Sequence, residues 1–355
     1  MVGEQIRSGR STRRDGVSTG SADDVVVVGR GPIASAVASA WGEQVRTLDE
    51  VPADDPHDAL AGADVVVLVA HPGDLVGSPV KGGREREAAV VAHTQRVLGA
   101  ARAVGARHVV AIGSAVVHGA WADRPVIHDA DALPRADEAA REGLVGDLLA
   151  AEAVLERARR RKAPLVTVLR PAAVVGVGID TFVTRHFEAP RLLTVRGAVR
   201  QWQFLHVEDL AAAARFAVAH RLTGALTVGA DDVLEPAAVE AAAGMRRIEL
   251  AATTAFGTAE RLHRVGVLPA PASELAFVVY PWTVAADRLH EAGWTARWSS
   301  AACLDVLLEG VQGRVAVAGR RVGTKDAAAL GAAGAAVALI GTAAVWRQAR
   351  ARRRP

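Results

Sequence analysis

The sequence of 355 residues contains one tyrosine, one cysteine and three lysines, and aromatic residues make up only 4% of it. A single cysteine, Cys303, excludes an internal disulfide and a cysteine-based metal cluster, and it fits a reducing, cytoplasmic setting. Metal-ligand spacing and internal repeats are also lacking. Residues 1–22 are polar and rich in Ser, Gly and Arg, with no apolar core, so they exclude a secretory signal peptide and are expected to form a disordered, solvated tail. With lysine nearly absent, arginine carries the positive charge. The net charge is only +3, because the arginines are scattered among 39 acidic residues. No basic stripe forms, and nucleic acid is not an expected partner.

What is abundant is Val, Ala and Gly. Val25-Val26-Val27-Val28 is a β-branched run of the kind buried in a parallel sheet, and it ends at Gly29. Gly29-Arg30-Gly31-Pro32-Ile33-Ala34 follows as a G-x-G-x-x-A turn, and Ala-rich helical spacing continues to Trp41. A second apolar run, Val45 to Leu48, ends at Asp49. Strand, glycine turn, helix, strand and terminal acid make a dinucleotide-binding βαβ unit. Gly29 permits the tight turn and Gly31 a close approach of backbone to a pyrophosphate. Ala34 keeps the helix near the sheet, and the helix N-terminus, around Ile33, offers N–H groups to phosphate. Asp49 is placed to accept hydrogen bonds from the adenosine ribose, favouring NAD over NADP, whose 2′-phosphate it would repel.

Further along, residues 63–70 read as a buried strand that ends at Ala70 and leads into His71-Pro72-Gly73; His71 lies just past that strand's carboxyl end, a pocket-rim position. Residues 87–104 have helical spacing, and 108–112 form the next strand, leading into Gly113-Ser114-Ala115-Val116-Val117-His118-Gly119. A polar loop over 120–137 can cover a site, 138–161 reads as a helix, and 165–169 as a strand meeting Arg170-Pro171. This alternation predicts an α/β fold, a Rossmann-type doubly wound parallel sheet.

These segments resemble an extended short-chain dehydrogenase/reductase of the NAD-dependent epimerase/dehydratase family. The resemblance rests on the glycine turn, the strand ending at Ala70, and VLGAARAVGARHVVAIGSAVVHG from Val97. It extends to AAEAVLERA from Ala150, LRPAAVVGVG from Leu169, QFLHVEDLAAA from Gln203 and AGWTARWSS from Ala292. It covers about residues 23–312, although the turn is one residue shorter than the family's G-x-x-G-x-x-G. It implies NAD as cofactor, held at Gly29, Gly31, Ile33, Ala34, Asp49, Ala70 and Pro171, and a smaller substrate lobe built mainly from 176–202 and 230–312. A nucleotide-linked or phosphorylated small molecule is the implied second ligand.

The resemblance also implies a tyrosine acid/base with a lysine four residues on, assisted by a serine. Ser114 matches that serine. Leu144 takes the tyrosine place and Leu148 the lysine place, and the one tyrosine, Tyr280, is far downstream. Two readings follow: a cofactor-binding protein without the standard chemistry, or an oxidoreductase or nucleotide-sugar epimerase in which Ser114 works with a displaced acid/base. His118 heads the candidates for that role, followed by His128 and Asp123 in the covering loop. Ala173 stands where many sugar-nucleotide epimerases have a substrate-binding asparagine. Arg170, Arg185 and Arg191 are candidates to face a diphosphate, and the segment His206-Val207-Glu208-Asp209 is expected to be structural.

Residues 313–355 form a linker, an apolar stretch at 327–346 and an Arg-rich end. Twenty uncharged residues match a bilayer span in length, and a helix lying on the inner face of the membrane suits the arginines better than a spanning one. A membrane-associated interaction protein on an inherited Rossmann scaffold is therefore a third reading. A membrane surface and a second copy of the chain join the dinucleotide among the partner classes considered.

Overall fold

A computed structural model describes residues 23–42, 45–73, 83–133, 143–161, 163–265, 271–312, 316–317 and 320–321. In chain order the elements are β1 (Val25–Val28), α1 (Gly31–Trp41), β2 (Arg46–Leu48), α2 (Pro56–Ala59), β3 (Val65–Val69), α3 (Gly83–Ala103), β4 (His108–Ile112) and α4 (Gly143–Arg159). They continue with β5 (Leu165–Pro171), β6 (Ala173–Val175), α5 (Phe182–Phe187), β7 (Leu192–Val195), β8 (Phe204–His206), α6 (Val207–Ala219) and β9 (Gly224–Val228). The last are α7 (Pro236–Ala243), β10 (Arg247–Leu250), α8 (Ala252–Arg264), α9 (Ala276–Val279), α10 (Asp287–Glu291), α11 (Ser300–Val311) and the short pair β11 (Ala316–Val317) and β12 (Arg320–Arg321).

Six strands form one parallel sheet in the order β2-β1-β3-β4-β5-β9. The alternation of strand faces explains the Val-rich runs. Val25 and Val27 of β1, with Val65 and Val67 of β3, pack with Ile33 and Val37 of α1 and with Leu210 and Ala214 of α6. Their neighbours Val26, Val28, Val66 and Leu68 pack on the other side with Val97 and Ala101 of α3 and with Val154 and Leu155 of α4. Both faces are covered, so neither can be polar, and continuous valine is the result. The chain reverses its progress across the sheet between β1 and β3. Crevices at the carboxyl ends of strands there are where such sheets bind ligands.

The second lobe is held by a parallel pair, β7 with β10, whose register runs from Leu192↔Arg247 to Val195↔Leu250. This pair joins residues from the two segments expected to form the substrate lobe. A third core cluster links the lobes: Val116 and Val117 beyond β4, Leu148 of α4, Phe187, Trp202, Phe204, Phe277 and Leu304. Asp209 at the start of α6 accepts from the backbone N–H groups of Arg297 and Trp298, at 3.1 and 2.9 Å. Two segments of the family resemblance, 88 and 89 residues apart, are thereby fastened together.

The expected elements differ mainly at helix ends. α1 begins at Gly31, one residue before its expected start, while α3 and α4 are described from Gly83 and Gly143, the residues before them lying outside the described ones. Among the described residues no helix is long and apolar enough to cross a membrane. The stretch 327–346, on which the membrane reading rested, lies outside the described residues, as do residues 1–22.

Candidate functional site

At the crevice, Gly29 (φ +143°) and Gly31 (φ +86°) both hold backbone conformations that side chains resist. A Cβ on Gly29 would stand 2.7 Å from Val69 Cβ, and one on Gly31 would stand 2.6 Å from the Pro72 carbonyl oxygen. The glycines therefore let the end of β3 close on the turn. Ile33 and Ala34 are buried beneath it and seat α1 on the sheet. The Gly29 N–H donates to Leu48 O at 2.8 Å, which brings the end of β2 beside the turn and leaves the Asp49 side chain exposed there. Ala70 is half-buried, its N–H donating to Ile112 O at 2.9 Å, and Pro171 is buried at the end of β5.

These residues fit the adenosine half of a dinucleotide: an exposed carboxylate, a tight turn without Cβ atoms, and a helix N-terminus. At the phosphate end, Pro32 has no N–H and the Ile33 N–H donates to Pro72 O at 3.4 Å.

Beyond β4, Ser114 is buried and caps the 3₁₀ turn Ala115–His118, its Oγ accepting from Val116 N–H at 3.4 Å. Leu144, Leu148 and Glu152 follow one another at four-residue intervals on one face of α4. Leu148 is 1% exposed and belongs to the core cluster that links the lobes, with Leu144 packed against it. The places where the resemblance implies tyrosine and lysine are thus filled with apolar packing. The Leu144 N–H donates to Glu274 Oε1 from the second lobe at 3.0 Å, and burial pushes that carboxyl upward.

One turn past Leu148, Glu152 meets Arg170 of β5. Arg170 Nε lies 3.2 and 3.1 Å from the two carboxylate oxygens, and Nη2 lies 2.5 Å from Oε2. Arg170 Nη1 donates to His118 Nε2 at 3.0 Å. Arginine can only donate, so the neutral His118 carries its proton on Nδ1, which is buried without a partner among the described residues. Burial and the Arg170 charge push His118 down to about 4. It is therefore neutral near pH 7 and enclosed.

The other expected residues disperse. His128 is exposed and pairs with Asp287 at 2.9 Å, a bond that raises its pKa. Asp123 and Arg191 are exposed, and Arg185 binds Asp180 at 2.8 and 2.9 Å. Ala173 is buried in β6. His71 is buried and driven down to about 4 by desolvation, and its Nδ1 accepts from Gly73 N–H at 3.2 Å. His206 is a helix cap whose Nδ1 accepts from Glu208 N–H, at 3.3 Å.

Sequence reading missed the buried pair Glu152–Arg170 and the group at Arg200. Arg200 is 6% exposed, stacks at 3.9 Å over Trp202, and donates through Nη1 to Tyr280 O. Among the described residues no carboxylate pairs with it and its Nε is buried without a partner, and burial lowers its pKa to about 9. It lines a cleft of about 490 Å³ with Thr194, Trp202 and Arg247 and with three glutamates, Glu235, Glu240 and Glu249. Only the run of basic and aromatic residues from 196 to 203 pointed toward it.

Fold and crevice together define a doubly wound α/β protein of the extended short-chain dehydrogenase/reductase type. More narrowly, the chain belongs to the NAD dependent epimerase/dehydratase family, whose sequence pattern matches residues 17–229. Uncharacterized protein Rv0501 of Mycobacterium tuberculosis (strain H37Rv) is 28% identical over 172 residues, 48% of this chain and 45% of that protein. Uncharacterized protein Mb0513 of Mycobacterium bovis gives the same figures, so the chain spans about half the length of the curated relatives it matches. MoeE5 in complex with UDP-glucuronic acid and NAD is similar in structure, with TM-score 0.60, 20% identity, and coverage of 81% of this chain and 99% of that one. The dTDP-glucose 4,6-dehydratase (rfbB) of Bacillus anthracis str. Ames, in complex with NAD, gives TM-score 0.58 at 11% identity, covering 81% and 96%. At these identities the likeness speaks for the fold.

Proposed function

We propose that this protein binds NAD in the crevice at Gly29–Ala34 and Asp49 and does not carry out the family's standard tyrosine–lysine proton transfer. The observation that carries this reading is the pairing of an open acid and glycine turn with Leu144 and Leu148 packed into the core. Leucine neither donates nor accepts a proton, so NAD would offer hydride chemistry with no acid/base at the usual place. Ser114 is engaged within its own turn and His118 is enclosed by Arg170, which favours the cofactor-binding reading over a displaced mechanism.

The second ligand in this reading is a nucleotide-linked sugar or another phosphorylated small molecule. MoeE5 with its UDP-sugars supports this class by analogy of fold.

Calorimetric titration with NAD and NADP tests the cofactor assignment. The wild type should bind NAD and reject NADP. Asp49→Ala should weaken NAD by about tenfold or more, the worth of hydrogen bonds to a charged acceptor. Equal affinity for the two dinucleotides, or an Asp49→Ala variant indistinguishable from wild type, would remove the adenosine assignment.

A further inference from the structure

The phosphate end of the glycine turn is in contact with another part of the same chain. The Pro72 carbonyl accepts from the Ile33 N–H at 3.4 Å, and a Cβ on Gly31 would stand 2.6 Å from that oxygen. In the usual arrangement the second glycine makes room for a pyrophosphate; here it makes room for Pro72. Of the first three residues of α1, Pro32 has no N–H and Ile33 is engaged, leaving only the Gly31 N–H without a partner among the described residues.

The segment that carries the carbonyl is held from several sides. The His71 N–H donates to Ile112 O at 3.2 Å, and the Gly73 N–H to His71 Nδ1 at 3.2 Å. The Gly73 carbonyl accepts from Asp180 N–H at 2.7 Å. Gly73 itself is wedged in: a Cβ there would lie 2.9 Å from Ile33 Cγ1 and 3.0 Å from Ile179 Cδ1.

We propose that His71–Gly73 is a strap that occupies the protein's own phosphate site, and that a dinucleotide enters only when the Pro72 carbonyl withdraws from Ile33. The inference rests on the dinucleotide reading above. A carbonyl oxygen and a phosphate oxygen are attracted to a helix N-terminus for the same reason, partial or full negative charge facing free N–H groups. The two cannot share one donor position. At 3.4 Å the contact is at the long end for an N–H···O bond, so a fully charged phosphate can displace it. The closed fraction lowers the apparent affinity for dinucleotide in proportion.

The test is an NAD titration by calorimetry on the full chain, alongside Pro72→Gly and Gly73→Ala, with amide hydrogen exchange read at Ile33. Pro72→Gly frees the strap backbone, and should tighten NAD by about fivefold while speeding Ile33 exchange in the unliganded protein. Gly73→Ala drives a methyl into Ile33 and Ile179 at φ +74° and should shift both readouts the same way. NAD affinity identical in all three proteins, with Ile33 exchange accelerated in the variants, overturns the strap and leaves the dinucleotide reading standing. No NAD binding by any of them, even with the Ile33 amide released, overturns both.

Discussion

Lowering the pH from 7.5 to 5.5 is expected to remove about 5 kcal/mol of the folding stability that four buried histidines contribute. His71, His108 and His118 are held at about 4 and His186 at about 3. Desolvation is the leading cause in each, seconded by an arginine beside three of them: Arg107 for His108, Arg170 for His118 and Arg200 for His186. Once unfolded, these rings return to about 6.5 and take up protons that the folded protein refuses. Stability is therefore fully present above the unfolded value and is lost as pH falls from 6.5 toward 4, by about 1.4 kcal/mol per histidine at pH 5.5. Glu152 and Glu274, raised by burial, act in the opposite sense. They favour the folded state as they protonate and offset part of the histidines' loss. Denaturant midpoints measured across this interval should fall steadily, and His118→Gln should remove roughly one quarter of the slope. A flat profile would mean that these rings are open to water in the folded protein.

Replacing Arg170 by alanine should destabilise the protein by about 3–5 kcal/mol, lowering the melting temperature by roughly 10 °C. The substitution leaves the Glu152 carboxylate buried without its three contacts and deprives His118 Nε2 of its donor. The cost comes from the stranded charge rather than from any intrinsic strength of the pair. Joint replacement with apolar residues of similar volume, Glu152→Leu with Arg170→Met, should accordingly restore most of the loss. A change below about 1 kcal/mol in Arg170→Ala would show that water reaches Glu152 freely.

Local pattern made much of the first half of the chain legible. The strands Val25–Val28 and His108–Ile112 coincide with the apolar runs read from the sequence, because strands buried on both faces need unbroken hydrophobicity. The glycine turn and the terminal Asp49 are likewise local. Contacts between distant segments were less legible: a Cβ on Gly143 (φ +68°) would collide with Glu274 Oε1, 131 residues away, and no local signal announces that neighbour.

The loss of the tyrosine–lysine pair is a matter of composition, since one tyrosine and three lysines stand elsewhere, and no folding could supply the missing groups. Which polar groups took up the space was decided by packing. Glu152 and Arg170 are 18 residues apart on a helix and a strand, and they meet only because α4 lies against the sheet beside β5. The same docking presses His118 against Arg170, turning a candidate acid/base into a buried acceptor. Pro72 reaches Ile33 because β3 runs next to β1, across the point where the sheet reverses. Sequence determined the elements, the cofactor turn and the absent dyad, because each depends on residue type and short spacing. Enclosure of His118, isolation of Arg200 and occupation of the phosphate donor depend on desolvation and on contacts between distant segments, which exist only once the sheet and the second lobe have closed on them.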